Sequence, residues 1–209
     1  MPDKNSYKMP NQILIASGNN NKIVEMNNLL KEQPIELFSL NDFKIDSPEE
    51  TGLTFIENAL IKARHAAKHS KMATLADDSG LIVDALNGEP GIYSARYSSN
   101  IHNINQNQAN INKLLDNLKK LNTPNKAFTA KFICVLVFLK HYNDPCPIVI
   151  QNFWHGQIIL ENKGINGFGY DPIFYIPTLK KTAAELTKEE KQNFSHRGQA
   201  LREFIELIK

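Results

Sequence analysis

Hydrophobic and polar positions alternate in blocks along this chain, and the period of each block predicts its element. Ile13-Leu14-Ile15-Ala16 is a short apolar run closed by Ser17-Gly18-Asn19-Asn20-Asn21-Lys22. That order predicts a strand, a Gly/Asn loop and a helix over about 22–31. Residues 35–40 read as a second strand, and 42–52 as an acidic loop. Thr54-Phe55-Ile56-Glu57 has the form of a capping box, in which a hydroxyl and a carboxylate satisfy free N–H groups at a helix start. The helix it opens runs to about Lys71, with Phe55, Ile56, Ala59, Leu60, Ala63 and Ala67 on the buried side. Ala73 to Asp77 then predicts a strand that ends in a turn at Asp77-Asp78-Ser79-Gly80, with Leu81 to Val83 a separate extended piece.

Further along, Gly88-Glu89-Pro90-Gly91 is a turn. The Asn/Gln-rich stretch 103–112 flows into Ile111, Leu114, Leu115, Leu118 and Leu121, a helical spacing with a frayed start. Residues 126–142 form the longest strand candidate, turned by Asp144-Pro145-Cys146-Pro147, and 148–154 and 157–160 continue as strands. Together they predict an antiparallel ribbon with a lobe of its own. After the Gly-rich segment 164–169, capping boxes at Thr182–Glu185 and Thr187–Glu190 start short helices, and Ser195 caps the last one.

Composition narrows the class. The chain has 209 residues, 42% hydrophobic and 22% charged, which supports a real core in one large domain or one domain with a small lobe. A formal net charge of +2 gives no general case for nucleic-acid or membrane binding. No apolar run approaches the roughly 18 residues of a spanning helix. Residues 1–12 are polar and lack the apolar centre of a secretory signal, so the expected compartment is the cytoplasm. Cys134 lies in an apolar run and reads as a reduced core residue; with Cys146 it forms no metal-type spacing. His65 and His69, four apart, have no third ligand in view and read as surface residues.

The chemistry begins at Asp77-Asp78-Ser79-Gly80. Two adjacent carboxylates repel unless a cation or base offsets them, so the run asks for a metal and a phosphate-like substrate. Asp78 suits a proton acceptor or metal ligand, and Ser79 a substrate contact; the same run also suits a plain strand-end turn with Asp77 capping it. Ser17, Gly18, Asn19, Asn20, Asn21 and Lys22 stand at a strand-to-helix junction, where free N–H groups and the helix dipole attract phosphate. Their spacing is not that of a Walker loop. Glu50 precedes the Thr54 helix and could share an ion with Asp78. Asn58 and Lys62 are i,i+4 neighbours and project together, with Lys62 placed to neutralise phosphate charge or to be an ordinary exposed lysine. In Gly167-Phe168-Gly169-Tyr170-Asp171-Pro172, Phe168 offers a stacking face and Asp171 an acceptor. Lys191, His196 and Arg197 crowd a helix start, where positive charge is unfavourable, and Lys and Arg are the side chains that read purine oxygens.

Six motifs then occur in order: Ser-Gly-Asn-x-x-Lys, Glu-Glu-Thr-Gly-x-Thr-Phe-x-Glu-Asn-Ala, Ala-Asp-Asp-Ser-Gly-Leu, Pro-Gly-Ile-Tyr-Ser-Ala-Arg-Tyr, Gly-Phe-Gly-Tyr-Asp-Pro and Ser-His-Arg-Gly-x-Ala. With them the chain resembles the inosine/xanthosine triphosphate pyrophosphatase family from about Gln12 to Lys209. The one visible departure is Ser17 where that family usually has Thr, which keeps the hydroxyl. The resemblance implies an α/β fold with an elongated mixed central sheet, flanking helices and two lobes with the active site in the cleft between them. It divides the chain into a polar extension, 1–11, and a single pyrophosphatase domain, 12–209. It implies hydrolysis of ITP, dITP and XTP to the monophosphate and pyrophosphate, a Mg²⁺ requirement and a homodimer. It places Glu50 and Asp78 on Mg²⁺, Asp78 as base, Lys62 beside the phosphates and Ser17 to Lys22 around them. Ser79, Phe168, Gly169, Tyr170, Asp171, Lys191, His196 and Arg197 would meet the substrate. A nucleotide-binding module without turnover, a nucleic-acid binder, and a pyrophosphatase for pyrimidine or methylated nucleotides are the alternatives. The intact acidic cluster speaks against the first, and the charge balance against the second.

Overall fold

A computed structural model describes residues 10–98, 105–124 and 126–208. The greater part of the polar extension and the first residues of the Asn/Gln-rich stretch lie outside them. Among the described residues, α-helices and strands follow one another as β1 (Gln12–Ala16), α1 (Asn20–Leu30), β2 (Glu36–Ser39), α2 (Phe55–Ser70), β3 (Ala73–Val83), α3 (Gln106–Lys120), β4 (Ala127–Leu139), β5 (Ile148–Ile159), β6 (Phe174–Ile176), β7 (Lys181–Thr182), α4 (Lys188–Phe194) and α5 (His196–Ile208).

The strands form one mixed seven-stranded sheet in the order β2-β1-β3-β4-β5-β6-β7. β1 pairs in parallel with β2 and β3, whereas β6 pairs antiparallel with β5 and β7. The first three strands are a β-α-β-α-β run, and their parallel pairing follows from the helical crossovers α1 and α2. This is an α/β fold with helices flanking a mixed sheet, as the sequence implies.

Three predicted boundaries are corrected. The Asp-Asp-Ser-Gly run does not turn: β3 continues unbroken from Ala73 to Val83. Its last pair with β1 is Ala16↔Ala76, but β4 lies along its other edge, so the backbone keeps partners past the end of β1. The two expected pieces at 148–154 and 157–160 are one strand, β5. β4 and β5 are also interior members of the common sheet, so the ribbon is not a lobe of its own. On α2 the buried residues are Phe55, Asn58, Ala59, Ala63, Ala66 and Ala67, while Ile56 is exposed. The apolar stripe is therefore rotated from the expected one, and an asparagine sits inside it.

The chain divides into two compact units. One holds the described residues up to Asp78, with Val135–Ile150 and the end from Ala200; the other holds Ser79–Cys134 and Gln151–Gln199. Ile13, Leu14, Ile15, Met26, Leu30, Leu75, Phe138 and Phe204 are fully buried in the first. The second has its own cluster, in which Leu81, Leu114, Leu118, Phe132, Trp154, Ile158 and Phe174 pack together. Cys134 is buried and reduced, as expected.

Candidate active site

In the first unit, two lysines meet two successive aspartates. Adjacent residues of a strand point to opposite faces, and each carboxylate on β3 meets a lysine from a different helix. Lys22, in the first turn of α1, pairs with Asp77. Lys62, from the middle of α2, donates to Asp78 Oδ1 at 2.6 Å and to Glu50 Oε1 at 3.0 Å. This answers the repulsion that made the sequence notable: each aspartate has its own cation. Asp77, read from sequence as a turn cap, instead orients Lys22.

Burial pushes the Asp78 carboxyl above the usual aspartate range, with Lys62 and Lys22 pulling against it. Burial works against charge on Lys62 too, but Asp78, Asp77 and Glu50 together outweigh it and hold the ammonium protonated. A carboxylate that keeps more than ordinary affinity for a proton, hydrogen-bonded to a fixed cation, is well suited to accept one from water.

The convergence of Glu50 and Asp78 on one ammonium is also the test for a metal. Among the described residues no group of three or more His, Cys, Asp or Glu comes together. Two hard carboxylates around one positive point fit Mg²⁺, which takes one or two carboxylates and fills its shell with phosphate oxygens and water. His65 turns Nε2 to Asp46 O, and its ring lies tilted against that of His69, 4.6 Å away.

The Ser17–Lys22 loop is more self-contained than its sequence implies. Asn19 is the N-cap of α1, and its Oδ1 accepts from the N–H groups of Asn21 and Lys22. Ser17 Oγ accepts from Asn19 N at 3.2 Å. Gly18, Asn20 and Asn21 are exposed beside them. What this corner presents is a helix N-terminus with its dipole and the Lys22 ammonium.

The second unit gathers the remaining candidates. Lys191 Nζ is 2.5 Å from Asp171 Oδ2 and 4.6 Å from the centre of the Phe168 ring. Arg197 Cζ lies 5.9 Å from the same ring, and its Nη2 donates to Ser79 Oγ at 2.8 Å. The ring thus carries two cations. Asp171 is buried, and besides Lys191 its Oδ2 accepts the Phe168 N–H at 2.8 Å. Gly167 makes that possible: it has φ +76°, and a Cβ there would stand 2.0 Å from Asp171 Oδ2. The glycine admits a carboxylate of its own loop, a different reason from the approach of a planar ligand. Gly169, beside the ring, has φ +61° and open space where a Cβ would stand. Tyr170 is buried, with its hydroxyl on Ser94 O, and anchors the loop. Burial pushes that hydroxyl's pKa far up, so it stays a neutral donor.

The basic helix start resolves in two parts. Lys191 belongs to the last turn of α4, where positive charge is favourable. His196 and Arg197 do open α5, with Ser195 Oγ accepting the Gly198 N–H as the expected cap. The His196 ring lies against Phe132 at 5.0 Å and 11°, and nearly parallel to Trp154 at 6.4 Å. Phe132 and Trp154 were not among the sequence candidates, since nothing separates them from other strand aromatics until the sheet aligns them with His196.

The sequence matches the Ham1 family over residues 13–207. The chain belongs to the Ham1 family. Among curated relatives, it is 50% identical to the dITP/XTP pyrophosphatase of Shigella flexneri and 49% identical to that of Escherichia coli K12. In each case the match covers 95% of this chain and 98% of the relative. A Ham1 protein from Coxiella burnetii has a similar structure, with TM-score 0.86 and 43% identity over 94% of this chain and 98% of that one. A nucleoside-triphosphatase / dITP/XTP pyrophosphatase from Mycobacterium abscessus superposes with TM-score 0.72 and 41% identity, covering 93% and 98% of the two chains. Family membership thus agrees with the motif resemblance.

Proposed function

We propose that this Ham1-family chain is a nucleoside-triphosphate pyrophosphatase that converts ITP, dITP and XTP to the nucleoside monophosphate and pyrophosphate with the help of Mg²⁺. The observation that carries this is the meeting of Asp78 and Glu50 on Lys62. The names of its half-identical relatives support the choice of substrate. Glu50 and Asp78 would hold the Mg²⁺ together with phosphate oxygens, and the ion would offset phosphate charge.

The chain's own groups do the rest. Asp78 accepts a proton from the attacking water as its oxygen bonds to the α-phosphorus and the bond to the bridging oxygen breaks. The electron pair leaves with pyrophosphate. Lys62 holds Asp78 in place and offsets charge developing on the phosphates, and Lys22 with the α1 N-terminus binds phosphate oxygens. The base stacks on Phe168, while Lys191 and Arg197 donate to its oxygen. Neither can accept a hydrogen bond, so a 6-oxo purine satisfies them and a 6-amino purine does not. Ser79, through Arg197, and His196, through Phe132 and Trp154, fix the donors. We further read the enzyme as a cytoplasmic homodimer.

The test is a panel of ITP, dITP, XTP, GTP and ATP, with and without Mg²⁺, in which pyrophosphate and monophosphate are both measured. ITP should yield the two in equal amounts, and ATP should be slower in kcat/KM by at least about 10²-fold. GTP shares the 6-oxo group, so its rate reports what the pocket does at the 2-position. Release of orthophosphate alone would overturn the reading. Nucleotide binding without products would favour a sensor. Size-exclusion with light scattering tests the dimer.

A further inference from the structure

Asn58 is fully buried among the alanines of α2, and half of its amide is idle: among the described residues Nδ2 has no hydrogen-bond partner. A position chosen only for packing is served better by an apolar side chain. What the amide does is accept one bond, from the Gly52 N–H to Oδ1 at 2.8 Å.

That bond extends the ordinary cap. Glu57 Oε2 takes the N–H groups of Leu53 and Thr54, both at 2.8 Å, so three successive loop amides end on two neighbouring helix residues. The Gly52 peptide is pressed onto the helix: a Cβ there would lie 2.7 Å from Asn58 Oδ1 and 2.6 Å from Glu57 Cβ. Glu50 is two residues upstream, and its carboxylate is held at 3.0 Å by Lys62, one helical turn beyond Asn58. Without the Gly52 anchor, the chain to Glu50 gains another residue of slack, about 3.5 Å of reach.

We propose that Asn58 is a positioning residue that fixes the loop carrying Glu50, and so sets the affinity of the Glu50–Asp78 pair for a divalent cation. This rests on the metal reading of that pair given above. The probe is Mn²⁺ alone, its binding to the full chain followed by electron paramagnetic resonance, beside thermal unfolding. Asn58→Leu removes the acceptor and the idle donor together; Gly52→Ala breaks the same bond from the loop side, by pressing a Cβ onto Asn58 Oδ1. Both should raise the Mn²⁺ Kd by about 10-fold or more, the usual scale for a group that orients a metal ligand. The double variant should be little worse than either single one, because both remove one interaction. Phe204→Leu, a core change where the ring packs on Phe138, should lower Tm and leave the Kd alone.

A wild-type Kd in both variants, additive effects in the double variant, or an equal Kd shift in Phe204→Leu would overturn the inference. If the unmutated chain binds no Mn²⁺, the metal reading falls and takes this with it. If all variants bind equally well, only the role of Asn58 falls.

Discussion

If Asp78 is the proposed general base, replacing it by Asn should separate activity from stability. As a general base Asp78 is worth at least about 10² in kcat, or about 2.7 kcal/mol on the barrier. Its contribution to folding is the sum of opposed effects. Burial disfavours the ionised carboxyl, and a neutral amide of the same shape relieves that. Against this, Lys62 loses the carboxylate 2.6 Å away. Breaking a buried pair costs about 3–5 kcal/mol when the remaining charge is left uncompensated. Lys62 is not so left: it keeps Glu50 at 3.0 Å and the field of Asp77, and the Asn oxygen still accepts from it. The net change should be within about 1 kcal/mol, or roughly 2–4 °C in Tm for a chain of this size. Pyrophosphate release from ITP and a thermal melt on the same preparation measure both quantities. Turnover within threefold of the unmutated enzyme would remove Asp78 as the base. A fall in Tm of more than about 10 °C would show that the ion pair had been misjudged.

Asp77→Asn should behave differently. Asp77 is 1% exposed, but the Lys22 side chain keeps 14% exposure and can turn to water, so the loss should be about 1–3 kcal/mol. KM for ITP should rise as Lys22 loses its orientation, and an unchanged Tm and KM would refute the pairing. In Gly167→Ala the new Cβ meets the Asp171 carboxylate at a φ that favours glycine, which should cost roughly 1–3 kcal/mol and weaken ITP binding in calorimetry. Acid should destabilise the fold through its capping boxes. The Thr54 hydroxyl, then the Leu53 and Thr54 amides, hold Glu57 below the ordinary value of 4.5, and the Thr182 and Thr187 amides do the same for Glu185 and Glu190. Folded values below the unfolded one mean stability that is complete above about pH 4.5 and lost as pH falls through the folded values. The urea midpoint should drop in that window, and less so after Glu→Gln at the three positions.

Local signals were legible where the chemistry is local. The three Thr/Glu capping boxes and the Ser195 cap stand where the sequence puts them, because a cap is written in four consecutive residues. The candidate residues were legible as motifs. What the motifs could not convey was who pairs with whom. Asp77 looks like a turn residue until α1 brings Lys22 to it over 55 positions of sequence. Asp171 looks like an open acceptor until its Oδ2 is seen to take Lys191 and the Phe168 N–H. β6 and β7, three and two residues long, carry too little periodicity to be read at all. The i,i+4 spacing pairs Asn58 with Lys62, but asparagine is seldom buried, so its burial is visible only once the stripe of α2 meets the sheet.

β3 carries Asp78 and Ser79 side by side, one proposed for hydrolysis and the other for recognition of the base, on a stretch that runs past the end of β1 with β4 along its other edge. Its side chains alternate, so losing a single residue between Ala73 and Asp77 would send every later side chain to the wrong face. Both functions would be lost at once, however mild the missing residue. The chain should therefore tolerate length changes very unevenly: a scan of one-residue deletions would find β3 intolerant throughout, with the irregular segment 122–124, between α3 and β4, far more permissive. For this protein the length of β3 should matter as much as the identity of its aspartates.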